Sequence, residues 1–395
     1  MIEERPIRSA YDSNSFVVEG NKLSLQPEGP ARLAALLDLI NNARRRLDLY
    51  FYYIDRRGSA IDVREALIDA CNRGVAVTLL VDAFGTATTP DSFFAPLIEA
   101  GARFGRFGNR RSTRYLIRNH QKMAIADGRR AMIGGFNIAD SYFATEDDPT
   151  GWRDMGMIVD GPAVVPLERW FDGLAAWTLS ERQSFRALRR MVRTWDPGKG
   201  RAVWLMGGPT RHLNGWARCV RRDLKADHEL DMAAAYFSPG WGMVRRLCRA
   251  ARSGCVRIVV PSRSDNIATV GAARHLYRRL LRSGVTILEY QPQMLHAKLL
   301  VIDDTAYVGS ANFDMRGLFI NVEMMLRIED AAVAKAVRAD IDAMAQQSRP
   351  IDEAAYRAMA GPLRRLRWWF DYLLVGVLDY TVTRRLNFRR DMRGD

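Results

Sequence analysis

The sequence contains one short motif twice, and the side chains in it are suited to reaction at a phosphate ester. Each copy reads His-x-Lys in strand-like alternation, so that both side chains point to one face of a sheet, and continues to an aspartate and an asparagine. The residues are His120, Lys122, Asp127 and Asn137 in the first copy and His296, Lys298, Asp303 and Asn312 in the second. Two copies with matching tails indicate a duplicated functional site rather than coincidence.

Two histidines and two lysines without a cluster of metal ligands are typical of metal-independent phosphoryl transfer. A neutral imidazole can attack the phosphorus of a phosphodiester and hold the phosphoryl group as a phosphohistidine. The other imidazole, when protonated, gives its proton to the departing alkoxide and then takes one from the incoming alcohol or water. Lysine and asparagine side chains would stabilise the phosphoryl oxygens. The sequence therefore predicts a reaction that needs neither a metal nor another cofactor.

The duplicated motif resembles that of the phospholipase D superfamily, and the resemblance extends over most of the chain. The run from Gly309 to Glu323 is similar to bacterial cardiolipin synthases of the short form without N-terminal transmembrane helices, although Gly317 stands where serine is common. The resemblance implies an α/β protein with the duplicated phospholipase D fold. Its two halves would be related by a pseudo-twofold axis and would share one active site at their interface.

In this family a buried acid on the strand after each motif supports a histidine by fixing its tautomer and raising its basicity. Alignment of the two halves pairs Asp154 with Glu323, so each is predicted to lie behind one histidine. Either acid could serve its own half or the opposite half. The resemblance implies that the first-half histidine attacks, which makes His120 the nucleophile and His296 the general acid and base.

Other motif residues are predicted to support the site. Asp127 and Asp303 belong to the catalytic motifs, but each lies where a strand enters a turn, and we expect them to hold that turn. Ser310 offers a hydroxyl for phosphate binding in the second half only, because Gly135 stands at the equivalent position of the first half.

The elements that position the motifs are also predicted twice. The first half has strands 47–54, 75–82 and 102–107 and helices 30–46, 63–73 and 92–99. The second half has strands 230–237, 255–260 and 285–290 and helices 243–252, 272–282 and 331–347. A repeat of about 180 residues is too long for a solenoid unit and indicates a duplicated α/β domain. We assign 1–195 to the first half, 196–348 to the second and 349–395 to a C-terminal tail.

The composition predicts an anionic partner. Lys and Arg number 59 against 45 Asp and Glu, which gives a net charge of +14 and a pI near 9.9. Nucleic acid, an anionic membrane and a phosphate-bearing substrate all fit this charge. The four cysteines lack metal-ligand spacing and are expected to be reduced thiols. With no signal-like or membrane-spanning apolar run in the sequence, we expect membrane contact to be peripheral.

Two stretches favour a lipid substrate. The segment 103–118 is predicted to line the approach to the site, because it precedes His120 and is basic through Arg103, Arg106, Arg110, Arg111, Arg114 and Arg118. The tail is predicted to form a membrane-surface helix, although a helix docked on the protein's own core would show the same stripe. The stripe consists of Leu366, Trp369, Phe370, Leu373, Leu374, Val377, Leu378 and Thr381, with arginines at both ends.

These features together predict a monomeric phosphatidyltransferase that makes cardiolipin from phosphatidylglycerol and a second phospholipid. Its expected partners are phospholipid substrates and an anionic phospholipid membrane, on the cytoplasmic side of the cell membrane, and no nucleic acid is expected. A phospholipase D hydrolase and a metal-independent nuclease are the alternatives.

Overall fold

The computed structural model describes residues 15–108, 117–210, 213–224 and 228–378, and each half of the chain forms an eight-stranded sheet with helices packed against it. The strands of the first half are β1 Ser15–Val18, β2 Asn21–Gln26, β3 Arg46–Phe51, β4 Ala76–Asp82, β5 Arg103–Phe107, β6 Met123–Ala126, β7 Arg130–Gly134, β8 Trp152–Arg153 and β9 Gly156–Asp160. Its helices are α1 Gly29–Asn41, α2 Ser59–Asn72, α3 Asp91–Glu99, α4 Asp140–Phe143, α5 Val164–Thr178 and α6 Phe185–Thr194.

The second half contains the remaining elements. Its strands are β10 Ala202–Gly207, β11 Glu229–Ala234, β12 Phe237–Ser238, β13 Cys255–Pro261, β14 Thr286–Tyr290, β15 Met294–Leu295, β16 Lys298–Ile302, β17 Thr305–Gly309, β18 Phe313–Asp314, β19 Glu323–Glu329 and β20 Ser348–Ile351. Its helices are α7 Gly215–Asp223, α8 Trp241–Ser253, α9 Ile267–Leu281, α10 Met315–Phe319, α11 Ala331–Gln346, α12 Glu353–Met359 and α13 Pro362–Tyr372, which continues into a π-helical turn, Leu373–Leu378.

The two sheets share the order of seven strands, and β1 in the first sheet and β20 in the second are additional strands at opposite edges. The first is β1-β2-β9-β7-β6-β3-β4-β5 and the second is β10-β19-β17-β16-β11-β13-β14-β20. In each, three neighbouring strands are parallel, and the strand that follows the His-x-Lys motif lies antiparallel beside them. Both motifs therefore lie at the carboxyl ends of the parallel strands, where α/β sheets commonly bind ligands. The duplicated α/β fold is confirmed.

The two halves share a hydrophobic core. Along β16, Leu299 and Val301 point into a cluster that contains inner-face residues of both sheets together with helices α5 and α11. Leu300 and Ile302 point to the opposite face and pack under the outer helices of the second half. Successive side chains of a strand point to opposite faces, so β16 is buried on both of its faces. Because one core joins the sheets, the positions of the two motifs are fixed relative to each other.

The predicted helices and strands within the described ranges are present, with ends that differ by a few residues. Helix α1 ends at Asn41 rather than at residue 46, because the backbone N–H groups of residues 44–46 donate to the carboxylate of Asp127. Helix α9 begins at Ile267, before the predicted start at residue 272. The last strand of the second sheet, β20, crosses the boundary drawn at residue 348.

The tail helix α13 has two different faces. Trp368 and Tyr372 are buried against the second half, as expected for a helix docked on the protein's own core. Leu366, Trp369 and Phe370 of the predicted apolar stripe are exposed on the other face. The end of the stripe at Thr381 and the arginines after it lie outside the described residues. None of the described helices combines the length and the apolar character needed to cross a bilayer.

Candidate active site

Both motifs open into one pocket of about 690 Å³ at the interface of the halves. His120 and His296 line this pocket, and their ring centroids are 6.5 Å apart. Its other lining residues are Tyr52, Phe84, Arg118, Asn137, Tyr142, Trp152, Tyr236, Asp265, Asn266, Ala268, Thr269, Asn312, Asp314, Arg316, Asn321, Leu374 and Val375. A phosphate group between the two rings could contact both of them.

Backbone hydrogen bonds connect each histidine to the opposite half. The N–H of His120 donates to the carbonyl oxygen of Val322 over 2.8 Å. The N–H of His296 donates to the carbonyl oxygen of Arg153, also over 2.8 Å, next to the parallel pairing of β15 with β8. Val322 and Arg153 each directly precede a predicted supporting acid. The two halves therefore meet through equivalent contacts at the catalytic motifs.

Through these contacts, each supporting acid lies behind the histidine of the opposite half. The Nδ1 atom of His296 lies 2.6 Å from Oδ2 of Asp154. The Nδ1 atom of His120 lies 3.4 Å from Oε1 of Glu323 and 3.2 Å from the carbonyl oxygen of Ser310. Of the two pairings that the sequence left open, the structure contains the crossed one. A carbonyl can only accept, so Nδ1 of His120 carries the proton and Nε2 keeps its lone pair.

The space behind each acid explains the difference between Gly135 and Ser310. A Cβ atom on Gly135 would lie 2.4 Å from Oδ1 of Asp154, so the glycine leaves room for that carboxylate. Ser310 donates its hydroxyl to Oε2 of Glu323 over 2.5 Å and accepts from the N–H of Met324. The hydroxyl therefore holds Glu323, and contact of Ser310 with the phosphate stays a prediction.

Both motif lysines are almost fully buried. Nζ of Lys122 donates to the carbonyl oxygen of His120 over 2.5 Å, and Nζ of Lys298 donates in the same way to that of His296. Burial lowers the pKa of Lys298 to about 8 and that of Lys122 well below its ordinary value, although the nearby carboxylates oppose the change. Both lysine Nζ atoms therefore lie against the backbone of the motif histidines.

Both histidines are neutral in the free protein. Burial and the positive charge of Lys298 lower the pKa of His296 to about 3, despite its contact with Asp154. Burial and both lysines lower the pKa of His120 well below its ordinary value. A bound phosphodiester would bring negative charge between the rings and oppose the effect of the lysines, which favours protonation of one ring when substrate is bound.

The two supporting acids differ in charge. Burial raises the pKa of Glu323 to about 7, and Lys122 only partly offsets this effect. Burial also opposes ionisation of Asp154, but the charge of Lys298 and the contact with His296 outweigh it and hold the pKa below its ordinary value. At neutral pH His296 is therefore backed by a full negative charge, and His120 by a partial one.

The two asparagines differ in their hydrogen bonds. The side-chain oxygen of Asn137 accepts from the N–H of Tyr53, and its amide nitrogen donates to the hydroxyl of Tyr142. Asn312 also lines the pocket, and its buried side-chain oxygen has no hydrogen-bond partner among the described residues. Asn137 is thus held in a fixed orientation, whereas Asn312 has hydrogen-bonding capacity left for a ligand.

Asp127 and Asp303 make structural contacts in the turns after their motif strands, and their grouping with the catalytic residues stays a prediction. Asp127 accepts from three backbone N–H groups at residues 44–46, and Asp303 accepts from the N–H of Glu229 and contacts His228. Both adopt positive φ, 54° and 48°. Each therefore holds the turn after its motif strand, at the end of that strand opposite to the histidine.

Several residues of the site were not predicted. Tyr52 lies 4.9 Å from His120 between ring centroids, and Tyr142 and Trp152 each lie 5.1 Å from His296. Tyr52 directly follows β3, Tyr142 lies in α4 and Trp152 lies in β8, none of which carried a motif. The position of Trp152 two residues before Asp154 was the only available signal. Aromatic rings therefore pack beside both reactive imidazoles.

The structure describes only part of the basic stretch before the first motif. Arg118 lines the pocket with its guanidinium over the ring of Phe84. Arg106 instead pairs with Asp91. Arg110, Arg111 and Arg114 lie outside the described residues. Within the described ranges there is also no group of three or more His, Cys, Asp or Glu side chains that could hold a metal ion.

The raised pKa of Glu323 makes stability depend on pH. The pKa is about 7 in the folded protein against an ordinary value of 4.5, so between these pH values the folded protein keeps a proton that the unfolded chain has released. The contribution of Glu323 to the free energy of unfolding of the wild-type protein therefore falls as pH rises through that window. We expect Glu323→Gln to become progressively more stable relative to wild type from about pH 5 to pH 8, measured as the free energy of unfolding in urea.

Asp127→Asn is the matched control for this experiment. Backbone N–H donors outweigh burial and lower the pKa of Asp127, so it is ionised across the whole range. Its difference from wild type should stay constant between the two pH values. A constant difference for Glu323→Gln as well would contradict the raised pKa.

Comparison with known proteins identifies the family. The family described as "Cardiolipin synthase, PLD-like domain" matches residues 36–175 and 222–345, one segment in each half. Cardiolipin synthase B of Salmonella typhi is 27% identical over 362 residues, which cover 89% of this chain and 85% of that protein. Cardiolipin synthase 1 of Bacillus cereus is 28% identical over 335 residues, covering 80% of this chain and 65% of that protein.

Solved structures agree in fold. A phosphatidylserine synthase from Haemophilus influenzae superposes with a TM-score of 0.73 at 13% identity, covering 92% of this chain and 97% of that one. A polyphosphate kinase from Porphyromonas gingivalis superposes with a TM-score of 0.58 at 12% identity, and the match covers 90% of this chain and 52% of that one. The sequence matches extend through both motifs, and the chain belongs to the cardiolipin synthase family of the phospholipase D superfamily.

Proposed function

We propose that this phosphatidyltransferase makes cardiolipin from phosphatidylglycerol and a second phospholipid, through a phosphohistidine and without a metal ion. The observation that carries the proposal is the pair of buried histidines facing one pocket, each backed by an acid of the opposite half. Family membership gives the class of reaction, and the geometry supports the roles of the residues.

In the first step Nε2 of His120 attacks the phosphorus of the donor phospholipid. A P–N bond forms while the bond from phosphorus to the departing alcohol oxygen breaks. His296, protonated in the substrate complex, gives its Nε2 proton to that oxygen. The phosphatidyl group is then held on His120, and His296 is neutral.

In the second step the hydroxyl of phosphatidylglycerol enters the site. His296 takes the hydroxyl proton while the oxygen attacks phosphorus, and the P–N bond to His120 breaks. Cardiolipin leaves and His120 regains its lone pair. His296 releases its proton with the product and takes one up again when the next donor binds. No proton or electron pair is gained or lost over the cycle.

The unequal acids support this assignment of roles. A general acid must carry a positive charge for part of the cycle, and ionised Asp154 stabilises that charge on His296. A nucleophile must stay neutral. Because the raised pKa of Glu323 leaves it only partly ionised, it stabilises a second proton on His120 less than Asp154 does on His296. The near-identical motifs offered no such distinction.

Positive side chains replace the electrostatic function of a metal in this proposal. Lys122 and Lys298 lie against the motif histidines, and Arg118 and Arg316 line the pocket. Preorganised charges in a buried site stabilise the negative phosphoryl oxygens of the transition state. The aromatic rings of Tyr52, Tyr142 and Trp152 limit water near the phosphohistidine, which favours transfer to an alcohol over hydrolysis.

The partners and location follow as part of the proposal. Both motifs come from one chain, which supports a monomer as the working unit. The exposed apolar face of α13 and the +14 charge support peripheral contact with an anionic membrane, on the cytoplasmic side. Phospholipids are the substrates, and nucleic acid has no part in the reaction.

Labelled phosphatidylglycerol in vesicles, with chelator present, tests the reaction. We expect cardiolipin and free glycerol in equal amounts, and neither product from His120→Ala or His296→Ala, because each step needs both histidines. Lipids are separated chromatographically. Phosphatidic acid as the main product would make the protein a hydrolase, and cleavage of DNA without a lipid product would make it a nuclease.

Asp154→Asn tests the support of His296. The amide cannot stabilise the imidazolium, so we expect turnover of the lipid to fall by about 100-fold or more. Asp127→Asn removes an equivalent charge from the motif turn, away from the pocket, and should keep turnover within about threefold. Equal losses in the two variants would contradict the separation of catalytic and structural acids.

A further inference from the structure

We propose that the C-terminal tail forms a wall of the active site, and that this wall holds the glyceride part of a phospholipid substrate beside the histidines. The tail wall consists of Leu374 and Val375 in the π-helical turn after α13. The inference rests on the proposed function and adds to it a set of residues that select lipids over soluble phosphodiesters.

The tail wall supplies most of the aliphatic surface of the pocket. Among the described residues that line the pocket, Leu374, Val375 and Ala268 are the aliphatic ones, and Ala268 lies in the first turn of α9. The remaining lining is polar, charged or aromatic. The pocket therefore combines groups for a phosphate with a surface for hydrocarbon, as a glycerophospholipid requires.

The tail is held firmly enough to act as a wall. Tyr372 is buried, donates its hydroxyl to the carbonyl oxygen of Pro239 over 3.2 Å and stacks on His275 with ring centroids 5.1 Å apart. On α9, a Cβ atom at Gly271 would lie 1.9 Å from Oδ2 of Asp371, so this glycine permits the close approach of α13. These contacts fix the residues directly before Leu374.

The tail wall continues into the exposed apolar face of the tail. Leu374 lines the pocket and is also 56% exposed, and Trp369 and Phe370 are exposed one turn earlier. Ile267, next to Ala268, is exposed on the neighbouring helix. This exposed apolar track beside the pocket fits acyl chains that extend from the reacting phosphate towards a lipid phase.

The surroundings of the track suit an anionic lipid. Arg364, Arg365 and Arg367 are exposed on the same helix, and the ion pair of Arg367 with Asp371 is long at 3.9 Å. Positive side chains beside exposed tryptophan and phenylalanine are typical of contact with headgroups. A water-soluble phosphodiester has no acyl chain to place on this surface.

The experiment compares a lipid with a soluble diester on the same variants. Leu374→Asn combined with Val375→Asn removes the hydrocarbon surface, and Leu374→Ala is a milder second variant. Leu363→Asn is the matched control, because Leu363 is in the same helix, is 83% exposed and does not line the pocket. The substrates are phosphatidylglycerol in detergent micelles and bis(p-nitrophenyl) phosphate in solution.

We expect the double variant to lower kcat/KM for the lipid, relative to that for the soluble diester, by at least about tenfold, mostly through KM. Leu374→Ala should move the ratio in the same direction by a smaller amount, and Leu363→Asn should leave it within about twofold of wild type.

An unchanged ratio of the two kcat/KM values in the double variant would contradict the proposed role of the tail wall. An equal loss of kcat/KM on both substrates leaves the ratio unchanged and would contradict it too. A matching loss in Leu363→Asn would also overturn it, because general adhesion to the lipid surface would then explain the effect. Failure of the proposed function has a different signature: wild-type protein would cleave the soluble diester and form no product from the lipid.

Discussion

The structure of the site depends on the exchange of hydrogen bonds between the halves. Each histidine donates its backbone N–H to the residue that precedes the acid of the other half. That one contact sets the register of the interface and brings the acid behind the opposite imidazole. Neither half could form a supported histidine alone, and the shared core then holds the pair of rings 6.5 Å apart.

The same interface makes two similar motifs chemically unequal. A glycine leaves space for the shorter Asp154, and Ser310 holds the longer Glu323. The first acid contacts its histidine closely and is ionised, and the second lies further away with a pKa near neutrality. The symmetric duplication thereby produces one histidine suited to carry a proton and one suited to remain neutral, as a two-step transfer requires.

Much of the fold and of the site could be predicted from the sequence, because a short motif that occurs twice with matching neighbours is stronger evidence than a single copy. The repeat predicted the fold, and the His-x-Lys pairs and both acids were found because they recur at matching positions. The crossing of the acids was not predictable, since it depends on how the sheets pack. The hydrogen bond of Ser310 to Glu323 was not predictable either, because a hydroxyl near a phosphate motif could not be distinguished from one bound to a carboxylate. Leu374 entered the site only through the docking of the tail.

The most direct test is to locate the covalent phosphatidyl group. Phosphatidyl-p-nitrophenol has a leaving group that needs little help from an acid, so the first step should proceed in His296→Ala while the second is blocked. Rapid quenching and peptide mass analysis should then find the phosphatidyl adduct on His120, and none in His120→Ala. An adduct on His296 in the His120→Ala protein would contradict the assigned roles.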